Sequence, residues 1–426
     1  MKILLKNGRV IEPAAGIDSI LDILIVDGVI EKLGESVSAG KTAQEYDLKG
    51  KIVAPGFIDM HVHLREPGFE HKETIETGTR AAAAGGFTAV CCMPNTNPAI
   101  DDASVIDFIR GKAAAANQGI VDVYPIAAVT KGREGKELAP MIELAESGAV
   151  AFSDDGAPVE SAEIMRRALE YASMLQKPVI QHAEESSMTK GGVMNEGFVS
   201  TALGMQAIPP IAEEIMVERD IRLAEYVRAE YHVAHISTAG SVELVRRAKR
   251  SNLRVTCEAT PHHFTLTDDA VRSFDTNTKI NPPLRTRDDV EAIKEGLRDG
   301  TIDVIATDHA PHSYDEKQVE YMFAPFGIVG LETAVGLAMT GLVRKKIITI
   351  VQLIEKLSVH PRKILHLPLI KIERGEKANF TFLDPEIDWI ADTGKFKSKS
   401  KNSPFHGWKM KGGAFGIYNN GRLLLQ

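Results

Sequence analysis

Apolar runs of β-type composition begin near residues 56, 87, 121, 149, 178, 231, 253 and 302. Most are followed by a stretch whose apolar positions recur at helical spacing: Thr74–Ala84, Ala103–Ala116, Leu138–Ser147, Ser161–Leu175, Ala212–Glu230, Ser241–Arg250 and Asp288–Asp299. Strand alternating with helix implies a parallel sheet, and eight such units predict an α/β fold closed into a (β/α)8 TIM-type barrel. An open doubly wound sheet would want a glycine-rich phosphate turn after its first strand, where this chain has HVHLREPG. The two ends of the chain have a different texture. Lys2–Lys6, Leu21–Val26, Val29–Leu33 and Lys51–Val53 read as short strands punctuated by Asn7–Gly8, Asp27–Gly28 and Lys49–Gly50. Ala378–Leu383, Gly413–Tyr418 and Arg422–Leu425 read likewise, the last two joined by an Asn419–Asn420–Gly421 turn. Neither set buries enough surface alone, so they are expected to meet in one small β-sandwich. The expected division is 1–54 plus 369–426 for the sandwich and 55–368 for the barrel.

Composition narrows the partners. The 426 residues are 44% hydrophobic and 25% charged, with a net charge of −8, ordinary for a soluble globular chain. Basic residues form no strip apart from Lys395, Lys397, Lys399 and Lys401, which argues against nucleic acid as the main partner. That lysine run is expected as a solvated loop or strand edge. Cys91, Cys92 and Cys257 are too few to staple a chain of this size and read as buried thiols in a reducing compartment. No apolar run approaches the ~20 residues that cross a bilayer, and no signal-peptide pattern opens the chain. A cytoplasmic protein without membrane contact is expected.

The chemistry collects at the strand ends. In PGFIDMHVHLR, Phe57, Ile58 and Met60 read as a strand buried on both faces, and His61 and His63 project from one side of it by the two-residue strand repeat. The fifth strand ends at His182, with Glu184 beyond, and the sixth at His235. The eighth is followed by Asp308, and the fourth by Asp154 and Asp155. In a barrel these ends share one mouth. Imidazole nitrogen with carboxylate oxygen suits zinc, with manganese or cobalt as substitutes. Five or six ligands exceed the need of one tetrahedral ion, so two ions sharing a bridging carboxylate would use them: His61 and His63 on one, His182 and His235 on the other. Such a metal acidifies water and polarises a carbonyl, and Asp308 is placed to carry the proton. Arg65, two residues past His63, faces the same mouth with a fork that can grip a carboxylate. His262–His263 reads as loop structure and Cys91–Cys92 as core.

Taken together, FIDMHVHLREPG, MPNTNP, FSDDG, HIST, TPHH, NPPLR, DHAPH and APFGIVGLET resemble the amidohydrolase superfamily and, within it, dihydroorotases of the class I, largely bacterial, type. The resemblance runs from the N-terminal strands to about Leu383. It implies reversible interconversion of N-carbamoyl-L-aspartate and L-dihydroorotate in pyrimidine synthesis. It makes His61, His63, His182 and His235 metal ligands, Asp308 both ligand and acid/base, and Asp155 the bridge, with Asp154 its competitor for that role. Relatives that bridge with a carboxylated lysine place it on strand four. Here the nearest is Lys177, ahead of strand five, which leaves one or two zinc ions open. Substrate contacts carry over to His63, to Arg65, Asn95 and His312 for the carboxylate, and to Asn281 and the Phe326–Gly327 backbone for the ring amides. A homodimer and a complex with aspartate transcarbamoylase are the partner expectations. The rivals are an allantoinase or hydantoinase, and a catalytically silent scaffold for the transcarbamoylase.

Overall fold

The computed structural model describes residues 2–38, 40 and 43–425. Its centre is a sheet of eight parallel strands in sequence order: Phe57–Val62, Phe87–Cys92, Asp122–Ala127, Ala151–Phe152, Val179–Gln181, Tyr231–Val233, Val255–Ala259 and Val304–Ile305. Every start lies within two residues of its predicted position. The last strand returns to the first. His63 N–H donates to the His309 carbonyl at 2.9 Å, and the buried Asp59 carboxylate accepts Thr307 N–H at 3.1 Å. The barrel is therefore nearly closed, and Asp308 is brought beside His61 and His63.

Ile58, Met60, Ala89, Cys91, Ile126, Ile180, Val304 and Leu365 fill the barrel interior. Burying each large apolar side chain contributes roughly 1.5–3 kcal/mol. This plug sets the height of each strand and so the height at which its last residue emerges. The helices Ile75–Gly85, Ala162–Met174, Ala239–Arg250 and Arg287–Asp299 cover the outside. Thr74, Ser161, Thr238 and Thr286 cap their first turns by accepting backbone N–H groups. Each cap stabilises its helix by about 1 kcal/mol and closes off the loop that carries the chemistry.

The chain ends meet in a second eight-stranded sheet. Ile52–Pro55 pairs in parallel with Lys2–Glu12 and antiparallel with Phe380–Ile390, so the chain enters the barrel from this sheet and returns to it. Gln44–Asp47, not predicted, adds a further strand beside Lys2–Glu12. Phe380, Phe382 and Tyr418 pack with Ile3, Leu5, Val10 and Ile23 in its core. Cys91, Cys92 and Cys257 are free and buried, as expected. Among the described residues no helix is long and apolar enough to cross a membrane.

Candidate active site

The Asp155 carboxylate lies at the centre of the barrel mouth. Its Oδ2 is 3.4 Å from His61 Nε2 and 3.5 Å from His63 Nε2. Its Oδ1 is 3.3 Å from His235 Nε2 and 3.7 Å from His182 Nδ1. Asp308 Oδ1 sits 2.9 Å from His63 Nε2 and 3.5 Å from His61 Nε2. The four histidines and two aspartates named from sequence thus converge on a volume one or two ions wide. Asp154 turns away: its Oδ1 accepts the N–H groups of Val129 and Thr130 at 2.9 and 3.0 Å. Burial would raise the Asp308 carboxyl, but the bond with His63 and the charges of His61 and His63 hold it well below the usual range.

A second ring of groups meets the outer nitrogens of three of the four imidazoles, His61, His63 and His182. Glu258, fully buried on the seventh strand, meets His61 Nδ1 at 2.5 Å and His232 Nε2 at 3.3 Å. Burial opposes its ionisation, yet the charge on His61 and the bonds with His232 and His61 pull its carboxyl down to about 2. An ionised Glu258 accepts from His61 Nδ1–H, so that once His61 gives up its second proton the Nε2 lone pair would face the mouth. Glu184 does the same for His182, accepting from its Nε2 at 2.8 Å so that Nδ1 faces Asp155. Asn95 Oδ1 accepts from His63 Nδ1 at 2.8 Å, which leaves the Asn95 amide N–H groups to donate elsewhere.

The remaining predicted residues line the rim. Arg65 Nε donates to the Pro311 carbonyl at 3.2 Å, with an Nη2 atom 3.5 Å from His312 Nε2. His312 Nε2 donates to the Phe326 carbonyl at 2.8 Å. Burial, then Arg65 and Lys317, push the His312 imidazole down to about 3, so it is neutral across the working range. Asn281 Nδ2 donates to Glu184 at 2.6 Å, and Gly327 N–H is taken by the Lys279 carbonyl at 2.9 Å. A cavity of about 660 Å³ lined by Glu184, Lys279, Asn281 and Phe326 opens beside them. His262 lies in the turn after strand seven, as expected, and is buried there with its Nε2 unpartnered, in the field of Asp308, His235 and His61. Glu258 was not anticipated, and His262 was set aside as loop structure. A single carboxylate in VTCEA and a histidine pair in a loop carry no spacing signal.

Two features mark the mouth as built for a ligand. Arg65, His235 and Asp308 are non-glycine residues at φ of +62°, +28° and +47°. Such backbone costs on the order of 1–3 kcal/mol each and persists where the surroundings impose it. The buried atoms His61 Nε2 and Asp155 Oδ1 also have no hydrogen-bond partner. An orphaned buried polar atom costs about 1–3 kcal/mol, which a cation between them would remove. His61, His63 and Asp308 offer ligand atoms within 4.8 Å of one another, as do His61, Asp155 and His235. The donor set fits a divalent metal.

The family model described as "Dihydro-orotase-like" matches residues 50–241. The dihydroorotase of Pelotomaculum thermopropionicum is 54% identical over the whole chain and 99% of its own length. The chain belongs to the dihydroorotase family. A second relative, the dihydroorotase of Acetivibrio thermocellus, is 51% identical over 99% of both chains. Among solved structures, the L-hydantoinase of Arthrobacter aurescens superposes with a TM-score of 0.88 at 23% identity, covering all of this chain and 96% of its own. The dihydropyrimidinase of Brevibacillus agri gives 0.85 at 22%, over 100% and 95%. At that identity the likeness shows the fold, a barrel whose chain ends form a separate sheet. Membership of the dihydroorotase family makes the chain a hydrolase of a typically metal-dependent kind.

Proposed function

We propose that the chain is a zinc-dependent cyclic amide hydrolase that interconverts L-dihydroorotate and N-carbamoyl-L-aspartate in de novo pyrimidine synthesis. The observation that carries the reading is the Asp155 carboxylate set among four histidines, with Asp308 2.9 Å from His63. His61, His63, His182, His235, Asp155 and Asp308 would hold zinc, one ion or two with Asp155 as bridge. When bound, the metal supplies Lewis acidity that polarises the carbonyl and acidifies water.

The protein's own groups do the rest. Arg65, the amide N–H groups of Asn95 and His312 hold the substrate carboxylate in a geometry suited to a planar fork. Asn281 and the Phe326–Gly327 backbone meet the ring amides. The Phe326 carbonyl now accepts from His312, so a ring N–H arriving there releases His312 Nε2 towards the carboxylate. Asp308 accepts the proton of the attacking water at a carboxylate oxygen and delivers it to the departing ring nitrogen. In ring closure the proton runs the other way. Strain at Asp308 and its contacts with His61 and His63 support its being held for this transfer.

The hydantoinase reading has the fold in its favour, but Asp155 lies among the four histidines where a bridging ligand would sit, and Lys177 lies ahead of strand five. The silent-scaffold reading is opposed by a full set of ligands. The test is an ultraviolet assay of both directions on protein of measured zinc content. Turnover of dihydroorotate and carbamoyl aspartate supports the reading, and metal-loaded protein inert on both but active on hydantoins or allantoin overturns it. We also propose a cytoplasmic location, a two-unit division at 1–54 plus 369–426 and 55–368, a homodimer, and docking to aspartate transcarbamoylase. Gel filtration alone and with the transcarbamoylase tests the last two, and an absent joint peak removes the complex.

A further inference from the structure

The lysine run near the C-terminus was expected to be a solvated loop or strand edge, and its lysines are indeed exposed. Alternating with them, however, Ser398, Ser400 and, just past the run, Asn402 are buried, at 1%, 5% and 5% exposure. The alternation lays one edge of a strap along the barrel. Ser398 bonds to Glu73, Lys399 N–H donates to Glu73 at 3.0 Å, and Ser400 Oγ donates to the Lys72 carbonyl at 2.6 Å.

At the end of this strap the Asn402 amide sits between the two halves of the loop that follows the eighth strand. Its Oδ1 accepts His312 N–H at 3.1 Å. Its Nδ2 donates to the Ala310 and Gly327 carbonyls, each at 3.0 Å. Its own carbonyl accepts Val329 N–H at 2.9 Å. The side chain's two donors and one lone pair of its oxygen are therefore used, all on this loop. The halves approach closely here: a Cβ on Gly327, whose φ is +143°, would lie 2.8 Å from the Ala310 oxygen. Ala310 N–H donates to the Ile328 carbonyl at 2.8 Å, so backbone bonding alone joins the halves at one point. Asn402, 90 positions along the chain from His312, supplies three more.

We propose that Asn402 is a positioning residue for substrate. It holds the His312 segment and the Phe326–Gly327 segment at the separation that a ring carboxylate and a ring amide require, while touching neither the substrate nor the metal ligands. The chain's C-terminal strap thereby sets the carboxylate end of the site. This rests on the substrate roles given above to His312 and Phe326–Gly327.

The test compares Asn402→Ala and Asn402→Asp with the wild type in steady-state kinetics on L-dihydroorotate, with zinc content and melting temperature measured on the same samples. Asn402→Asp keeps the acceptor for His312 N–H but sets a carboxylate against two carbonyls. Both are expected to raise KM roughly tenfold or more while kcat stays within about threefold and zinc content is unchanged. An unchanged KM in folded, zinc-loaded variants overturns the proposal, whether or not the melting temperature falls. Should the variants not fold, hydrogen exchange in the wild type decides. His312 N–H protected to the level of the barrel strands supports the brace, and exchange at the rate of an exposed loop overturns it. Wild type that fails to turn over dihydroorotate strikes the proposed function instead, and the exchange measurement then decides the brace alone.

Discussion

Asp154 and Asp155 are consecutive residues whose carboxylates face opposite ways. Asp154 Oδ1 takes two backbone N–H groups, of Val129 and Thr130, at 2.9 and 3.0 Å. Asp155 points into the histidine cluster, 3.3–3.7 Å from four ring nitrogens. Asp154→Asn is therefore expected to lower stability by about 1–3 kcal/mol while keeping bound metal, since a buried acceptor is exchanged for a partly mismatched amide. Asp155→Asn is expected to lose metal with little loss of folding. Metal analysis and urea melts of the two variants separate these outcomes, and metal loss confined to the Asp154 variant contradicts the assignment.

Glu258 makes a sharper case because it touches a proposed ligand, His61, rather than being one. Its bond to His61 Nδ1, at 2.5 Å, keeps Nε2 free for the cation. A glutamine there has the same shape but can donate, which favours the other tautomer. Glu258→Gln should weaken zinc binding by roughly 10–100-fold, read by competition with a chelator. Wild-type affinity would show that His61 needs no such support.

Arg65 is held by the Pro311 carbonyl with its fork towards the mouth. Replacing it with lysine keeps a charge but removes paired donation. Arg65→Lys should raise KM for dihydroorotate by roughly tenfold, with kcat altered less. A fall in kcat at constant KM would assign Arg65 to the chemical step instead.

Lys317 gives a pH dependence. Burial, then Lys279, lowers its ammonium to about 7 from 10.5, while it donates to the Thr276, Lys279 and Pro325 carbonyls. Asp275 and Glu316 face it with opposite charge. Below pH 7 both folded and unfolded chains carry the proton, and above 10.5 neither does. Between these values the unfolded chain binds more protons, so this group makes stability rise with pH. Urea midpoints at pH 7 and 9.5 should show a gain in the wild type that Lys317→Met lacks. A gain of equal size in both would place the titration elsewhere.

Much of this was legible in the chain because strand starts and the proposed metal ligands leave local signals. An apolar run ending in histidine or aspartate reports both the strand and the end at which the barrel works, and His61, His182, His235 and Asp308 follow that rule. The helical region after the eighth strand did not show. There Ala334–Ala338 and Ile350–Ile354 run into π-turns at Met339–Val343 and Glu355–Val359, which break the 3.6-residue period. Glu258 escaped because the register of strand seven, not its composition, turns the carboxylate inward. Asn402 escaped because its neighbours' charges dominate the run, while its partners lie 75–92 residues away. The choice between Asp154 and Asp155 needed the third strand's loop, whose amides claim the first of them.

The central claim is that Asp308 carries the proton between water and the ring nitrogen. Its most direct test is turnover of Asp308→Asn in both directions, with zinc content and folding measured on the same sample. A folded, zinc-loaded variant slower by about 10²–10⁴-fold in ring opening and ring closure alike is the predicted result. The same variant working at the wild-type rate would contradict it.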